Sequence, residues 1–405
     1  MTSGAPLILT AGMRRARGAV TAAYAAQGLG YAVIVTSLPA LKERQSVDDT
    51  VVTILVLGVA ILAAGGSVLA NLVAVRAGSR PALALGLILQ GLALPLIAIP
   101  TPFPLFVVAF ALFGVGLGCV DAAAAMQGVA LQRAYGRPLL GGFFAALTAA
   151  AIAGALLVSL VAASALAAGV ALATAGVVAL VIGAVGSRLF AVEGADGADA
   201  APAASEPRAR VPLPRAGIWA FGFVILAAFV VDSAVSTWST VYLYDGLAAL
   251  PWLAPLGYAA YQAAVLVARL VTDRLLPPLG PRRLVAIAVV VSVVGCVVVV
   301  LAPAPGMAVV GFALAGVATG VLVPVAFGAA GDLDPAHSDQ VIARVNLFNY
   351  AGAILGAVAV GVVAEGTGLG LAFLLPAVVL AAVLFVVPRF RTASEARAVD
   401  AASPR

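Results

Sequence analysis

The chain runs to 405 residues, of which 63% are hydrophobic and 10% charged, with a mean hydropathy of +1.16. A soluble protein carries about twice that charge fraction, so composition excludes the roughly two or three soluble domains that length alone would suggest. The net charge of +5 and pI of about 9.6 do not indicate a nucleic-acid partner, because the basic residues are scattered over short gaps between long apolar runs. Cys119 and Cys296 lie inside apolar runs and His337 is the single histidine, which argues against a structural disulfide or a metal centre.

A helix needs about 20 apolar residues to cross a bilayer, and without water the spanning backbone must be helical. The pattern predicts twelve such helices, near 17–40, 50–74, 80–100, 103–130, 138–160, 164–187, 216–242, 253–274, 282–302, 305–330, 343–364 and 367–388. The first is too long for a secretory signal, and many spans follow it. Pro102 and Pro104, then Pro303 and Pro305, punctuate two tight outer turns. Residues 189–215 break the pattern: GADGADAAPAASEPRARVPLP is rich in Ala, Pro and acids without apolar periodicity, and reads as a disordered cytoplasmic linker. The expected fold is all-α and integral to the membrane. A tail (1–16) leads into a six-helix bundle (17–188), the linker (189–215), a second six-helix bundle (216–388) and a second tail (389–405).

Of the 22 Lys and Arg residues, only Lys42 and Arg44 fall on one side of this arrangement. The others cluster in alternate gaps, around Arg14–Arg17, Arg76 and Arg80, Arg133 and Arg137, Arg188–Arg215, Arg269–Arg283, Arg344 and Arg389–Arg405. By the positive-inside rule those gaps and both termini are cytoplasmic, in the inner membrane.

Basic turns recur in the two halves. Arg76-Ala-Gly78-Ser-Arg80 joins the second and third spans, and Asp273-Arg274 with Gly280-Pro-Arg282-Arg283 joins the eighth and ninth. Paired six-helix halves suggest a secondary transporter with its site at the repeat interface. These turns resemble the signature loop of the major facilitator superfamily, roughly Gly-x-x-x-Asp-Arg-x-Gly-Arg-Arg. The first copy departs from it, with Asn71 for the Gly and Val75 for the Asp; the second has extra residues around Pro277-Pro278. SLPALKER (37–44), the run from Asp121 to Gly128, LQRAYGRPLL (131–140), STWSTVYL (236–243), GYAAYQAAVLVARLVTDRL (257–275) and VPVAFGAAG (323–331) resemble a bacterial branch related to fucose-permease-type sugar transporters. Where relatives in that branch often carry Asn and His, this chain has Ala125 and Phe144. The resemblance implies a monomer.

Ionisable side chains inside spans are functional candidates by default. Asp232 and Asp121 are the candidate proton-coupling residues, because an apolar cavity favours the neutral form of a carboxylic acid, as a proton carrier requires. Tyr24, Gln27 and Tyr31 form an i, i+3, i+7 stripe in the first span. With Trp238, Tyr258, Tyr261, Gln262, Asn346 and Asn349 they are the candidate lining of a solute cavity; the alternatives are interhelical hydrogen bonding and, for Trp238, an interfacial anchor. Arg76, Gly78, Arg80, Arg269, Asp273, Arg274, Gly280, Arg282 and Arg283 form a gating motif, with Arg269 and Asp273 spaced to pair on one helical face. Gly28, Gly30, Gly114, Gly116 and Gly118 read as close-packing positions. Gly116-x-Gly118 lies in an apolar helix with no preceding strand, which excludes a nucleotide loop.

The expected activity is secondary active transport of a small polar, sugar-like solute by alternating access, as proton-coupled uptake. No cofactor is expected beyond the proton gradient as energy source, and no catalytic set marks an enzyme. The partners are the solute and the lipid bilayer. Proton-driven efflux of hydrophobic compounds, and a sensor that kept the fold but lost transport, are the competing readings.

Overall fold

The computed structural model describes residues 11–136, 139–164, 169–190, 214–334 and 338–390. The expected linker and C-terminal tail lie largely outside these residues, as do Arg137 and His337. The described chain is helical throughout. Helices α1 (Ala11–Thr36), α2 (Leu38–Gln45), α3 (Asp49–Ala77), α4 (Ser79–Ala98), α5 (Phe103–Tyr135), α6 (Leu140–Ala163) and α7 (Gly169–Gly186) are followed by α8 (Arg215–Val241), α9 (Pro255–Val300), α10 (Pro305–Gly331), α11 (Ser338–Thr367), α12 (Leu369–Ala372) and α13 (Leu374–Ala381). A wider π-helical turn, Tyr242–Gly246, extends α8.

Ten of these helices are long and apolar enough to cross a membrane. Two further spans complete the expected twelve. At 46 residues α9 would stretch about 69 Å, twice a bilayer core, and it is broken at Gly280 into two crossings. The apolar stretch Leu369–Phe385 supplies the last. The chain is a multi-pass membrane protein. Its lipid-compatible surface is visible in outward aliphatics such as Val68, Leu160, Val181, Val294 and Val378, each at least half exposed. The short helix α2 is an addition to the twelve. The first span ends at Thr36, earlier than its expected end near residue 40, because Pro39 lacks an N–H and suits the first turn of a new helix.

The chain forms two compact units. The first comprises the described residues of Met1–Ile34 and Leu57–Ala209, the second those of Val35–Val56 and Arg210–Arg405. Residues 35–56 therefore belong with the second unit, which a division at the linker does not anticipate. Their contacts give the reason: Leu38 and Val52 are buried in the same core as Val231, Val235 and Trp238.

In the first unit α4 packs along α5 and α7; in the second, α9 packs on α10 and α8 on α11. Glycines set the closest approaches. A Cβ at Gly118 would fall on the Ala63 carbonyl of α3, and one at Gly28 on the Leu147 carbonyl of α6. Gly114 and Gly116 likewise crowd Val59 and Gln90, whereas a Cβ at Gly30 would make only ordinary contact with Leu94, so four of the five glycines expected to pack closely do so.

The repeated turns share one backbone conformation. Gly78 has φ 90°, ψ 162° and Gly280 has φ 73°, ψ 159°, a region that disfavours any side chain. Two residues on, each turn places an arginine against the end of the last helix of its own unit. Arg80 Nε donates to the Ser187 carbonyl beyond α7. Arg282 donates from Nε to the Phe390 carbonyl at 2.6 Å and from Nη2 to the Pro388 carbonyl at 2.9 Å. These carbonyls are the orphan acceptors of a helix end, so the structure gives Arg80 and Arg282 a bracing contact. Arg282→Ala is expected to cost about 1.5–3 kcal/mol, the value of charged hydrogen bonds, and to raise amide hydrogen exchange over residues 383–390. Lysine should restore only part, having lost the planar fork.

Candidate functional site

Each unit holds a carboxylate bonded to neutral polar side chains. In the first unit the network spans α1, α4 and α5. Gln27 donates from Nε2 to Asp121 Oδ1 at 2.7 Å and to the Leu117 carbonyl at 3.2 Å. Gln90 donates to Gln27 Oε1. Gln27 and Gln90 are buried, whereas Asp121 is exposed. Ala125, one turn along α5, is exposed as well, and so is Phe144. Tyr24 is buried, stacked on Phe143 with ring centroids 5.4 Å apart and edge-on to Phe144 at the same distance. The expected stripe Tyr24, Gln27 and Tyr31 is thus graded, with Tyr31 only half-buried.

In the second unit the network spans α8, α9 and α10. Tyr261 donates to Asp232 Oδ1 at 3.0 Å and shares a hydrogen bond of 2.8 Å with Thr319 Oγ1. Thr319 also reaches the Ala228 carbonyl at 3.3 Å. Arg269 acts electrostatically on both Asp232 and Tyr261. It does not form the expected ion pair with Asp273, which is exposed and has no ion pair among the described residues. The half-buried guanidinium instead contributes its charge to the carboxylate of α8. Arg274 donates back to the Leu270 carbonyl of its own helix, and Arg76 and Arg283 lie at the ends of the repeated turns.

Three expected lining residues are sealed in the core. Trp238 is fully buried and its indole donates to the Ala357 carbonyl of α11 at 2.7 Å, so it ties helices together and is no interfacial anchor. Tyr258 and Tyr261 are also fully buried, and Gln262 donates to the Tyr258 hydroxyl at 2.7 Å. Buried phenols need such partners, which turned these side chains inward. Asn346 and Asn349 on α11 are half-buried.

A third polar group joins α2 and the start of α3 to the ends of α8 and α11. Lys42 bonds Asp49 and Asp245, Tyr244 donates to Glu43 at 2.8 Å, and Thr50 donates to Glu365 at 2.8 Å. Burial alone would depress the Lys42 ammonium; its hydrogen bonds to Asp245 and Asp49, and their charges, outweigh that and raise its pKa above the ordinary 10.5.

Sequence reasoning missed Gln90, Thr319 and Lys42 as network members. Gln90 and Thr319 are lone polar residues in apolar runs, and Lys42 is one of two basic residues set apart from the other Lys and Arg clusters; each signal was present.

The comparisons agree with this architecture. An uncharacterised MFS-type transporter of Yersinia pestis is 26% identical over 355 residues, covering 85% of this chain and 88% of that protein. An uncharacterised transporter of Sinorhizobium fredii is 32% identical over 177 residues, 44% of this chain and 47% of its own length. Among solved structures, a point mutant of the nucleoside transporter NupG superposes with TM-score 0.72 at 12% identity, covering 93% of this chain and 99% of that one. A bacterial homolog of the human lysosomal transporter Spinster gives 0.73 at 11%, covering 96% and 98%. The MFS transporter FucP, in an outward conformation, gives 0.59 at 14%, covering 93% and 98%. The pattern of the Major Facilitator Superfamily matches residues 20–306 and 253–404, and the chain belongs to that family of membrane transporters.

Proposed function

We propose that the protein takes up a small polar solute across the inner membrane by alternating access, coupled to proton entry, with both termini cytoplasmic. The observation that carries this reading is the pair of intramembrane carboxylates, Asp121 and Asp232, held by an amide and a phenol. Neutral hydrogen-bonding partners leave a carboxyl able to gain and lose a proton, whereas a direct ion pair fixes its charge; Asp232 feels the Arg269 charge but is hydrogen-bonded by a phenol. One proton moving down 100 mV supplies about 2.3 kcal/mol, enough to concentrate a solute roughly fifty-fold. A hydrophobic substrate moved outward is the second reading, favoured by exposed Ala125, one turn from Asp121, and by exposed Phe144 against Tyr24.

The test begins with thermal unfolding of the purified protein against sugars, polyols, nucleosides, amino acids and hydrophobic drugs. Nucleosides belong in the panel because one solved neighbour is named for them. A solute bound only by the folded state stabilises it by about 2.7 kcal/mol at a hundredfold excess over Kd. A polar hit that accumulates in proteoliposomes only under an inward proton gradient is the expected outcome. Stabilisation by hydrophobic compounds alone would favour efflux, and flux indifferent to the gradient would remove proton coupling.

A further inference from the structure

Gln90 is fully buried on α4 in a slot that Gly116 keeps open, with Gly30 beside its far end. A Cβ at Gly116 would stand 2.9 Å from Gln90 Cγ, and one at Gly30 would stand 3.7 Å from its Oε1. Its Nε2 donates to Gln27 Oε1. The orientation of Gln27 is set from the other side. Its amide N–H groups face Asp121 Oδ1 and the Leu117 carbonyl; the carbonyl can only accept, and so can an ionised carboxylate. The Gln27 carbonyl is thereby turned towards α4, where Gln90 must donate. At its far end Gln90 Oε1 is buried with no hydrogen-bond partner among the described residues. No hydrogen bond at that end holds Gln90 in one orientation.

We propose that Gln90 is a positioning residue, the second member of a two-amide relay whose polarity reverses with the protonation state of Asp121. The inference rests on the reading that Asp121 carries a proton during transport. When Asp121 takes a proton from water, its new O–H needs an acceptor. Half a turn of the Gln27 amide presents Oε1 to that O–H and Nε2 to Gln90. The same half turn of Gln90 then presents its Oε1 to Gln27. Two hydrogen bonds link the three side chains in either state; the half turn gives up the 3.2 Å bond from Gln27 Nε2 to the Leu117 carbonyl, and the orphan at the far end changes from carbonyl to amide. The terminal torsion of glutamine is broad and roughly two-fold, so the turn needs no backbone movement. The titratable group that interacts with the Asp121 charge is Tyr24 on α1. The apolar stretches of α3, α4 and α6 around the pair, residues 57–75, 81–98 and 140–163, carry no titratable side chain. The protonation state at one point in the first unit is thus delivered to α4.

The test labels the side-chain nitrogens of the seven glutamines in the full chain in lipid and follows them through a pH titration. The Gln90 signal is identified by its loss in Gln90→Met, or in Gln90→Asn should the methionine variant fail to fold. The Asp121 carboxyl is followed in parallel by the infrared band lost in Asp121→Asn. The expected result is one shared midpoint for both, and a Gln90 signal that no longer follows pH in Gln27→Met while the carboxyl band still titrates. A titrating carboxyl with a silent Gln90, or a Gln90 that still follows pH without Gln27, overturns the relay. A carboxyl that never titrates overturns the relay together with the reading of Asp121 as proton carrier.

Discussion

Asp232→Asn is expected to abolish uphill accumulation of solute while sparing exchange of internal for external solute. Asparagine keeps an acceptor for the Tyr261 hydroxyl, which lies 3.0 Å from Asp232 Oδ1, so the geometry of α8, α9 and α10 should survive. What it removes is the site where a proton can be bound and released. Accumulation should fall from about fifty-fold per 100 mV to none, while counterflow in the same proteoliposomes continues. Tyr261 carries one hydroxyl proton and touches both Asp232 and Thr319. It can donate to the carboxylate in one state and to Thr319 in the other, so the network tolerates both charge states of Asp232. Normal uphill accumulation by the Asn variant would take Asp232 out of the mechanism.

Lys42→Met should lower the thermal unfolding midpoint, and Lys42→Asp combined with Asp245→Lys should recover part of the loss. The Lys42 side chain is 13% exposed, against 32% for Asp49 and 37% for Asp245. Removing the cation leaves two carboxylates facing an apolar replacement. A pair buried on one side only is worth about 1–2 kcal/mol, between the surface and buried limits. The pH dependence has a definite sign. Because the folded-state pKa of Lys42 is raised above 10.5, its stabilisation is complete below that value and is lost only as pH climbs through the higher folded value. Wild type and Lys42→Met should therefore converge in stability at strongly alkaline pH and differ fully at neutrality. A constant difference across that alkaline range would show that the methionine variant acts through packing instead.

Much of the architecture was legible because a bilayer makes severe demands on sequence. Each crossing needs a continuous apolar stretch, and Lys and Arg collect in alternate gaps between them. The repeated turns were equally readable. Gly78 and Gly280 must be glycine for the backbone they adopt, and an arginine follows each two residues later. Less legible was what those arginines touch. Arg80 and Arg282, expected in a gate, reach the carbonyls at Ser187, Pro388 and Phe390, more than a hundred residues away. No local pattern encodes a contact at that separation.

The candidate site divides in the same way. The sequence by itself marked Asp121, Asp232, Gln27 and Tyr261, because a polar side chain in an apolar run is costly and therefore conspicuous. Only the tertiary structure decided their partners, joining Gln27 to Asp121 and Gln90, and Tyr261 to Asp232 and Thr319. It also decided which side chains face inward. Trp238 and Tyr258 proved to be sealed in the core, while Asp121 kept an exposed face. Helical periodicity assigns residues to faces, but in a membrane helix apolar side chains surround every face, so the pattern does not say which face meets a neighbour. Packing settles that, and with it the placement of residues 35–56 in the second unit.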